Sequence, residues 1–249
     1  MFINDLKILF HQGKQFIPDV TTTEVPGIFR GRPIITDAKC NEQEIIDLCP
    51  TDAISASPLR IDLGRCTFCG ECAFANPEKI KFTKDYKMAT NDRNRLIVSD
   101  DSPVEIDADK IRAEIQKLFG RSLKLREVSA AGDNSCEWEL NATSNVNFDM
   151  GRFGIDFVAS PRHADGIVVT GPISENMAEA LEICYQATPA PKILILAGTD
   201  AISGGIFAGS RALNRSFLDK YKVDLYVPGN PVHPLAFVNG VLNLVRRKK

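Results

Sequence analysis

The chain has 249 residues, of which 44% are apolar and 25% charged, and its formal net charge is −2. These values exclude a disordered chain, a collagen repeat and a coiled coil, and the near-neutral balance gives no electrostatic case for binding nucleic acid. The length is sufficient for two compact domains. No apolar run reaches the ~18–20 residues that cross a bilayer, so we expect a cytoplasmic protein.

Residues 1–13 predict a short amphipathic helix that ends at Gly13. Its apolar side carries Phe2, Ile3, Leu6, Leu9 and Phe10. Two interpretations stay open for this helix. It docks against a membrane or a partner subunit, or it packs on its own domain.

Four of the seven cysteines lie between residues 49 and 72. Cytosolic thiols stay reduced, so this grouping indicates a metal site and not disulfides. Residues 66–72 have the sequence C-T-F-C-G-E-C, and Pro50 follows Cys49. Bacterial ferredoxins use C-x2-C-x2-C-x3-C-P. The pattern therefore predicts one [4Fe–4S] cluster with the ligands Cys49, Cys66, Cys69 and Cys72. A zinc site is the alternative, since zinc also accepts four thiolates.

A second ferredoxin cluster is not expected. Asn76 stands before Pro77 where the second run would have a cysteine, and no cysteine lies between Cys40 and Cys49. Cys40 alone cannot hold a cluster, and we interpret it as a vestige or a free thiol.

Residues 91–106 are polar and predict a linker, after which a helix capped by Asp107 runs to Gly120. Strand and helix patterns then alternate, which predicts parallel βαβ units with ligand sites at the carboxyl ends of the strands. The predicted strands are residues 123–128, 155–159, 166–170, 192–196 and 224–227, and the predicted helices are residues 174–187 and 235–245.

The first half resembles the ferredoxin subunit of formate hydrogenlyase and of group 4 membrane-bound [NiFe] hydrogenases. The resemblance rests on Phe29–Pro33 (F-R-G-R-P), on the cysteine runs and on Lys84–Tyr86 (K-D-Y). It implies an α+β ferredoxin-like [4Fe–4S] domain over residues 1–95, followed by a linker and helix over residues 96–120.

The second half resembles the hydrogenase small subunit, which corresponds to the 20 kDa subunit of complex I. This resemblance implies a flavodoxin-like α/β domain over residues 121–249. The motifs that carry it are R-F-G-I at 152–155, S-P-R-H-A-D at 160–165, V-T-G-P at 169–172, P-K at 191–192, I-S-G-G-I-F at 202–207 and V-P-G at 227–229.

The second half departs from that family at its proximal cluster site. The family uses four cysteines there, whereas this chain keeps Cys136 and has Asp133, Asp200 and Asn230 at the other positions. Carboxylate can occasionally replace thiolate on iron, but an amide is a poor ligand for this soft site. We therefore expect that one thiolate, two Asp and one Asn hold no cubane there. An oxygen-rich site for a hard cation and an empty polar pocket both stay open. Buried Asp side chains should be solvated, paired or metal-bound.

The resemblance implies an electron-transfer subunit of a hydrogenase-like, complex I-related assembly, without a catalytic site of its own. Its implied partners are a hydrogenase large subunit-like protein and, through the complex, membrane subunits, with the chain at the inner face of the membrane. The alternative is a non-redox scaffold that docks a large subunit without [NiFe] chemistry.

Overall fold

The computed structural model describes residues 2–13, 15–25 and 27–245. The first hundred residues form short elements around two small antiparallel sheets. Strand β1 pairs with β4, and β3 lies between β2 and β5. From β1 to β4 the elements follow the order β-α-β-β-α-β. The elements are α1 (Phe2–Gln12), β1 (Pro33–Ile35), α2 (Glu42–Asp47), β2 (Ile54–Ser55), β3 (Arg60–Asp62), α3 (Glu71–Ala75), β4 (Ile80–Phe82) and β5 (Ile97–Val98).

The remainder forms a five-stranded parallel sheet with helices, which confirms the predicted α/β architecture. Its elements are α4 (Ala113–Phe119), β6 (Leu123–Ser129), α5 (Ser135–Ala142), β7 (Ile155–Phe157), β8 (Gly166–Thr170), α6 (Glu175–Ala187), β9 (Ile193–Ala197), α7 (Thr199–Ser203), α8 (Phe217–Lys220), β10 (Leu225–Val227) and α9 (Pro234–Val245). The strand order is β10-β9-β8-β6-β7. Counted from β6, this is the flavodoxin-like order 2-1-3-4-5.

The two faces of the sheet contribute to two different apolar cores, because successive strand residues point to opposite faces. Ile193 and Ile195 join α9 in the first core. Leu194 and Leu196 join the second core, which also contains Leu63 from the segment after β3. The small N-terminal sheets therefore pack against one face of the large sheet.

Part of the polar stretch predicted as a linker forms secondary structure. The Arg93 guanidinium donates to both carboxylate oxygens of Asp62, at 2.7 and 2.6 Å. This pair lies beside a 3₁₀ turn at Arg93–Leu96, and β5 follows and pairs with β3. A composition-based prediction missed these elements because they depend on a partner 31 residues away.

The helix predicted from Asp107 begins later than expected. Asp107 caps a 3₁₀ turn at Ala108–Lys110 through its side chain, which accepts from the Asp109 N–H. Arg112 is extended, and α4 starts only at Ala113. The Arg112 guanidinium contacts Asp224, so a long-range ion pair lies at the point where the helix begins.

The predicted N-terminal helix is confirmed as α1, while Met1 lies outside the described residues. None of the residues of α1 is buried, and Phe10 is 87% exposed. This exposure favours the interpretation in which the helix docks against a membrane or a partner subunit over the one in which it packs on its own domain. Among the described residues, no helix is both long and apolar enough to cross a membrane.

Candidate metal centre

Cys49, Cys66, Cys69 and Cys72 line one small cavity, which we call the cysteine cavity. Cys66 and Cys72 are buried, and Cys49 and Cys69 are half-buried. The rest of the wall is largely apolar and includes Leu48, Ile54, Ile61 and Phe82. All four residues that the sequence analysis singled out thus meet at one place, whereas Cys40 does not line the cavity.

The backbone of residues 66–72, here called the cysteine loop, turns sharply around this cavity. Phe68 and Gly70 have φ angles of 56° and 87°, and Gly70 directly precedes α3. A Cβ atom at Gly70 would lie 2.8 Å from Arg30 Nε, so the absence of a side chain allows Arg30 to lie against the loop. The cysteine loop therefore encloses the cavity on one side and packs closely against Arg30 at Gly70.

Backbone N–H groups point at the sulfur atoms. The Ala53 N–H donates to Cys49 Sγ at 3.2 Å, and the Phe68 N–H donates to Cys66 Sγ at 3.3 Å. Burial raises the pKa of the Cys66 thiol to about 12 and that of Cys72 to about 11, and the neighbouring cysteines add to both shifts. A metal centre that binds to these cysteines must therefore displace the protons of their thiols.

These features fit an iron–sulfur cluster. Four thiols, apolar walls and N–H···S hydrogen bonds are the environment in which such clusters are held and tuned. Among the described residues, no three His, Cys, Asp or Glu side chains are arranged to hold a single metal ion.

The cysteine loop lies against the carboxyl edge of the parallel sheet. Thr199, the first residue of α7 after β9, donates from Oγ1 to the Cys66 carbonyl oxygen at 2.8 Å. On the same side, a Cβ atom at Gly64 would lie 2.7 Å from Ile202 Cγ2. The cysteine cavity is thus held next to the strand ends where parallel sheets place their ligand sites.

The residues that the family resemblance assigns to a second cluster site also lie at this edge. Cys136 Sγ lies 2.5 Å from the point where a Cβ of Gly198 would be. Burial raises the Cys136 thiol pKa to about 12, and Asp133 and Asp200 add to the shift. Asn230 follows Gly229, whose carbonyl oxygen accepts from the Thr199 N–H at 2.8 Å.

The two aspartates at this edge differ in their surroundings. Asp133 is exposed, and its Oδ1 accepts from the Ser135 hydroxyl and N–H at 2.6 and 2.9 Å, which lowers its pKa. Asp200 Oδ1 is buried and has no hydrogen-bond partner among the described residues. Burial, and then the nearby Asp133, raises the pKa of Asp200 to about 6.

Two glutamates near this edge were not identified from the sequence as site residues. Glu137 Oε1 accepts from Ser129 Oγ at 2.6 Å and from Thr170 Oγ1 at 2.7 Å. Burial raises the pKa of Glu127 to about 7, and the charge of Glu137 adds to this shift. The sequence did offer one indication of an unusual glutamate, because Glu127 lies within the predicted strand that forms β6.

Comparison with known proteins relates the second half to respiratory and hydrogenase subunits. The family model described as "NADH ubiquinone oxidoreductase, 20 Kd subunit" matches residues 134–244. A probable membrane-bound hydrogenase subunit of Pyrococcus furiosus is 37% identical over 130 residues, which are 52% of this chain and 78% of that protein.

Two further relatives are similar over shorter fractions of their length. Formate hydrogenlyase subunit 7 of Escherichia coli is 37% identical over 141 residues, or 55% of each chain. An NADH-quinone oxidoreductase subunit of Heliobacterium modesticaldum is 40% identical over 116 residues, which are 46% of this chain and 66% of that protein. This chain thus spans less than two thirds of either protein.

Proposed function

This chain belongs to the family of the NADH ubiquinone oxidoreductase 20 kDa subunit, and from that premise we propose that it is an iron–sulfur electron-transfer subunit of a hydrogenase-like, complex I-related oxidoreductase assembly. The observation that carries the proposal is the cysteine cavity, where Cys49, Cys66, Cys69 and Cys72 meet beside the carboxyl edge of the sheet.

We propose that these four cysteines hold one [4Fe–4S] cluster. When bound, such a cluster supplies one-electron transfer. The chain's own contribution is to supply four thiolates, to hold the sulfurs through the N–H groups of Ala53 and Phe68, and to exclude water with apolar walls. These are the means by which a protein sets a cluster potential.

We propose that the family's proximal cluster is absent from this chain. Cys136 is the one thiol among the four degenerate positions, and Asp133 and Asp200 offer oxygen. Asp200 Oδ1 is buried and has no hydrogen-bond partner in the described ranges. Because buried polar atoms normally have a partner, this atom supports the proposal that the site has lost the group it once held.

The assembly is proposed from the kind of protein that the relatives are. Their names describe subunits of a membrane-bound hydrogenase, of formate hydrogenlyase and of NADH-quinone oxidoreductase. We propose that this chain likewise joins a large subunit-like partner and, through it, membrane subunits at the cytoplasmic face.

A second candidate is a scaffold without a redox role. Asp200 and Asn230 stand where the family has cysteines at the carboxyl edge, and this favours the scaffold. Without a cluster there, electrons have no carrier between the cysteine cavity and a partner at that edge. The large subunit distinguishes the candidates. Two C-x-x-C pairs for nickel in its sequence support the redox subunit, and their loss supports the scaffold.

The test is anaerobic purification followed by iron and sulfide counting and electron paramagnetic resonance. We expect about four irons per chain, the content of one cubane. Cys69→Ser should remove the paramagnetic signal of the reduced protein. Cys136→Ser, the matched control, should keep both the iron and the signal.

Two outcomes contradict the proposal. About eight irons per chain would mean that a second cluster is present. A cluster that survives in Cys69→Ser but disappears in Cys136→Ser would move the site from the cysteine cavity to the carboxyl edge.

A further inference from the structure

Arg30 lies directly against the cysteine loop. Its Nε is 2.8 Å and its Cδ 3.2 Å from the position that a Cβ atom of Gly70 would occupy. Gly70 separates Cys69 from the helix turn that carries Cys72. Arg30 also lines an adjoining pocket together with Phe68, another residue of the cysteine loop. The guanidinium is therefore held beside the backbone that presents the cysteines.

Arg30 has no ion-pair or hydrogen-bond partner among the described residues. Arg32, two residues later, contrasts with it, because its guanidinium contacts Asp85 at 3.3 Å and Asp101 at 2.9 Å. Arg32 thus has a structural role, whereas Arg30 is a half-buried cation that forms no ion pair within the described part of the chain.

A half-buried cation without a partner is unfavourable unless an anion lies nearby. Four thiolates in the cysteine cavity would supply that negative charge. Each electron that enters an iron–sulfur cluster adds one more negative charge, and a fixed cation nearby stabilises the reduced form by Coulomb attraction.

We propose that Arg30 is a positioning and tuning residue for the cysteine cavity, where its positive charge raises the reduction potential of the bound cluster. This inference rests on the proposed function, since it needs a cluster at the four cysteines. It gives a specific role to the one residue of the F-R-G-R-P motif whose charge is unpaired in the described part of the chain.

The experiment is a mediator-controlled redox titration of the anaerobic full-length protein, followed by electron paramagnetic resonance and paired with iron counting. Arg30→Gln removes the charge and Arg30→Lys keeps it. Arg121→Gln is the matched control, because Arg121 is an exposed arginine at the amino end of β6, the opposite edge of the sheet. We expect a more negative midpoint for Arg30→Gln and unchanged midpoints for Arg30→Lys and Arg121→Gln.

Loss of iron from Arg30→Gln with full retention in Arg30→Lys also supports the proposal, because the charge alone then decides whether the cluster stays. The proposal is overturned if Arg30→Gln keeps the parent midpoint, if Arg121→Gln shifts equally, or if both Arg30 variants lose their iron. A parent protein without about four irons per chain would instead contradict the proposed function itself.

Discussion

Thr199 Oγ1 donates a hydrogen bond to the backbone carbonyl oxygen of Cys66 at 2.8 Å, across 133 residues of chain. Both residues are buried. The bond connects the loop that presents three cysteines to the carboxyl end of β9. It is one of the contacts through which the parallel sheet fixes the position of the cysteine cavity.

Replacing Thr199 by Val should therefore weaken this connection. The variant keeps the side-chain shape but leaves the buried Cys66 carbonyl oxygen unpaired, which costs about 1–3 kcal/mol. Urea unfolding of the anaerobic protein measures this loss. Thr199→Ser keeps the hydroxyl and should stay closer to the parent, so equal midpoints for the two variants would contradict the role of the bond.

The Arg112–Asp224 pair should contribute to stability more than a surface pair. Asp224 is buried and accepts from Arg112 Nε at 3.0 Å and from the Leu194 N–H at 3.0 Å. Asp224→Asn leaves a partly buried guanidinium without its counter-charge, and we expect a loss of about 2–3 kcal/mol in the free energy of unfolding.

The matched control for that pair is Glu114→Gln, which removes a more exposed carboxylate from the same guanidinium. Its effect on chemical denaturation should stay below about 1 kcal/mol. If the two variants are equally destabilised, the burial of Asp224 does not matter.

Stability should depend on the ionisation of Glu127. Burial and the charge of Glu137 raise its pKa from the ordinary 4.5 to about 7, so the folded protein keeps this proton at a pH where the unfolded chain has released it. This contribution to stability is present below pH 4.5 and is lost as the pH rises towards 7.

The glutamine in Glu127→Gln cannot ionise. The free energy of unfolding of this variant, relative to that of the parent, should therefore increase as the pH rises from 4.5 to 7. After solvent screening is allowed for, the gain is on the order of 1 kcal/mol. Unfolding curves over this pH range measure it, with exposed Glu179→Gln as the control. A difference that stays constant with pH would rule out a perturbed Glu127.

The apolar face of α1 should add nothing to the stability of the fold. Phe10 is 87% exposed, so Phe10→Ser should change the free energy of unfolding by less than about 0.5 kcal/mol. Phe237→Ala in the core should cost about 3–5 kcal/mol, because its ring is fully buried. Thermal unfolding of both variants checks the contrast. A large loss for Phe10→Ser would mean that α1 packs on the fold after all.

The strands of the sheet were predictable because their signals are local. The apolar run at Ile193–Ala197 is buried along its whole length, as expected for a strand that is covered on both faces. By contrast, α5 and α7 escaped prediction. The helix α5 starts at a turn in which the Ser135 N–H donates to Asp133 Oδ1. The helix α7 has only five residues, which is too short for a helical pattern to be recognised.

The side chains that can act as ligands were recognisable in the sequence, since the spacing of Cys66, Cys69 and Cys72 within one loop is a local property. The family resemblance adds the expectation that the second half has lost three cluster cysteines. Three relationships came from tertiary packing: Cys49 lines the same cavity, Thr199 connects the cysteine loop to the sheet, and Arg30 lies against Gly70 with no ion-pair partner among the residues that the structure describes. The physical reason is that these contacts join residues far apart in the chain, and no local pattern encodes a contact that exists only after both segments have packed.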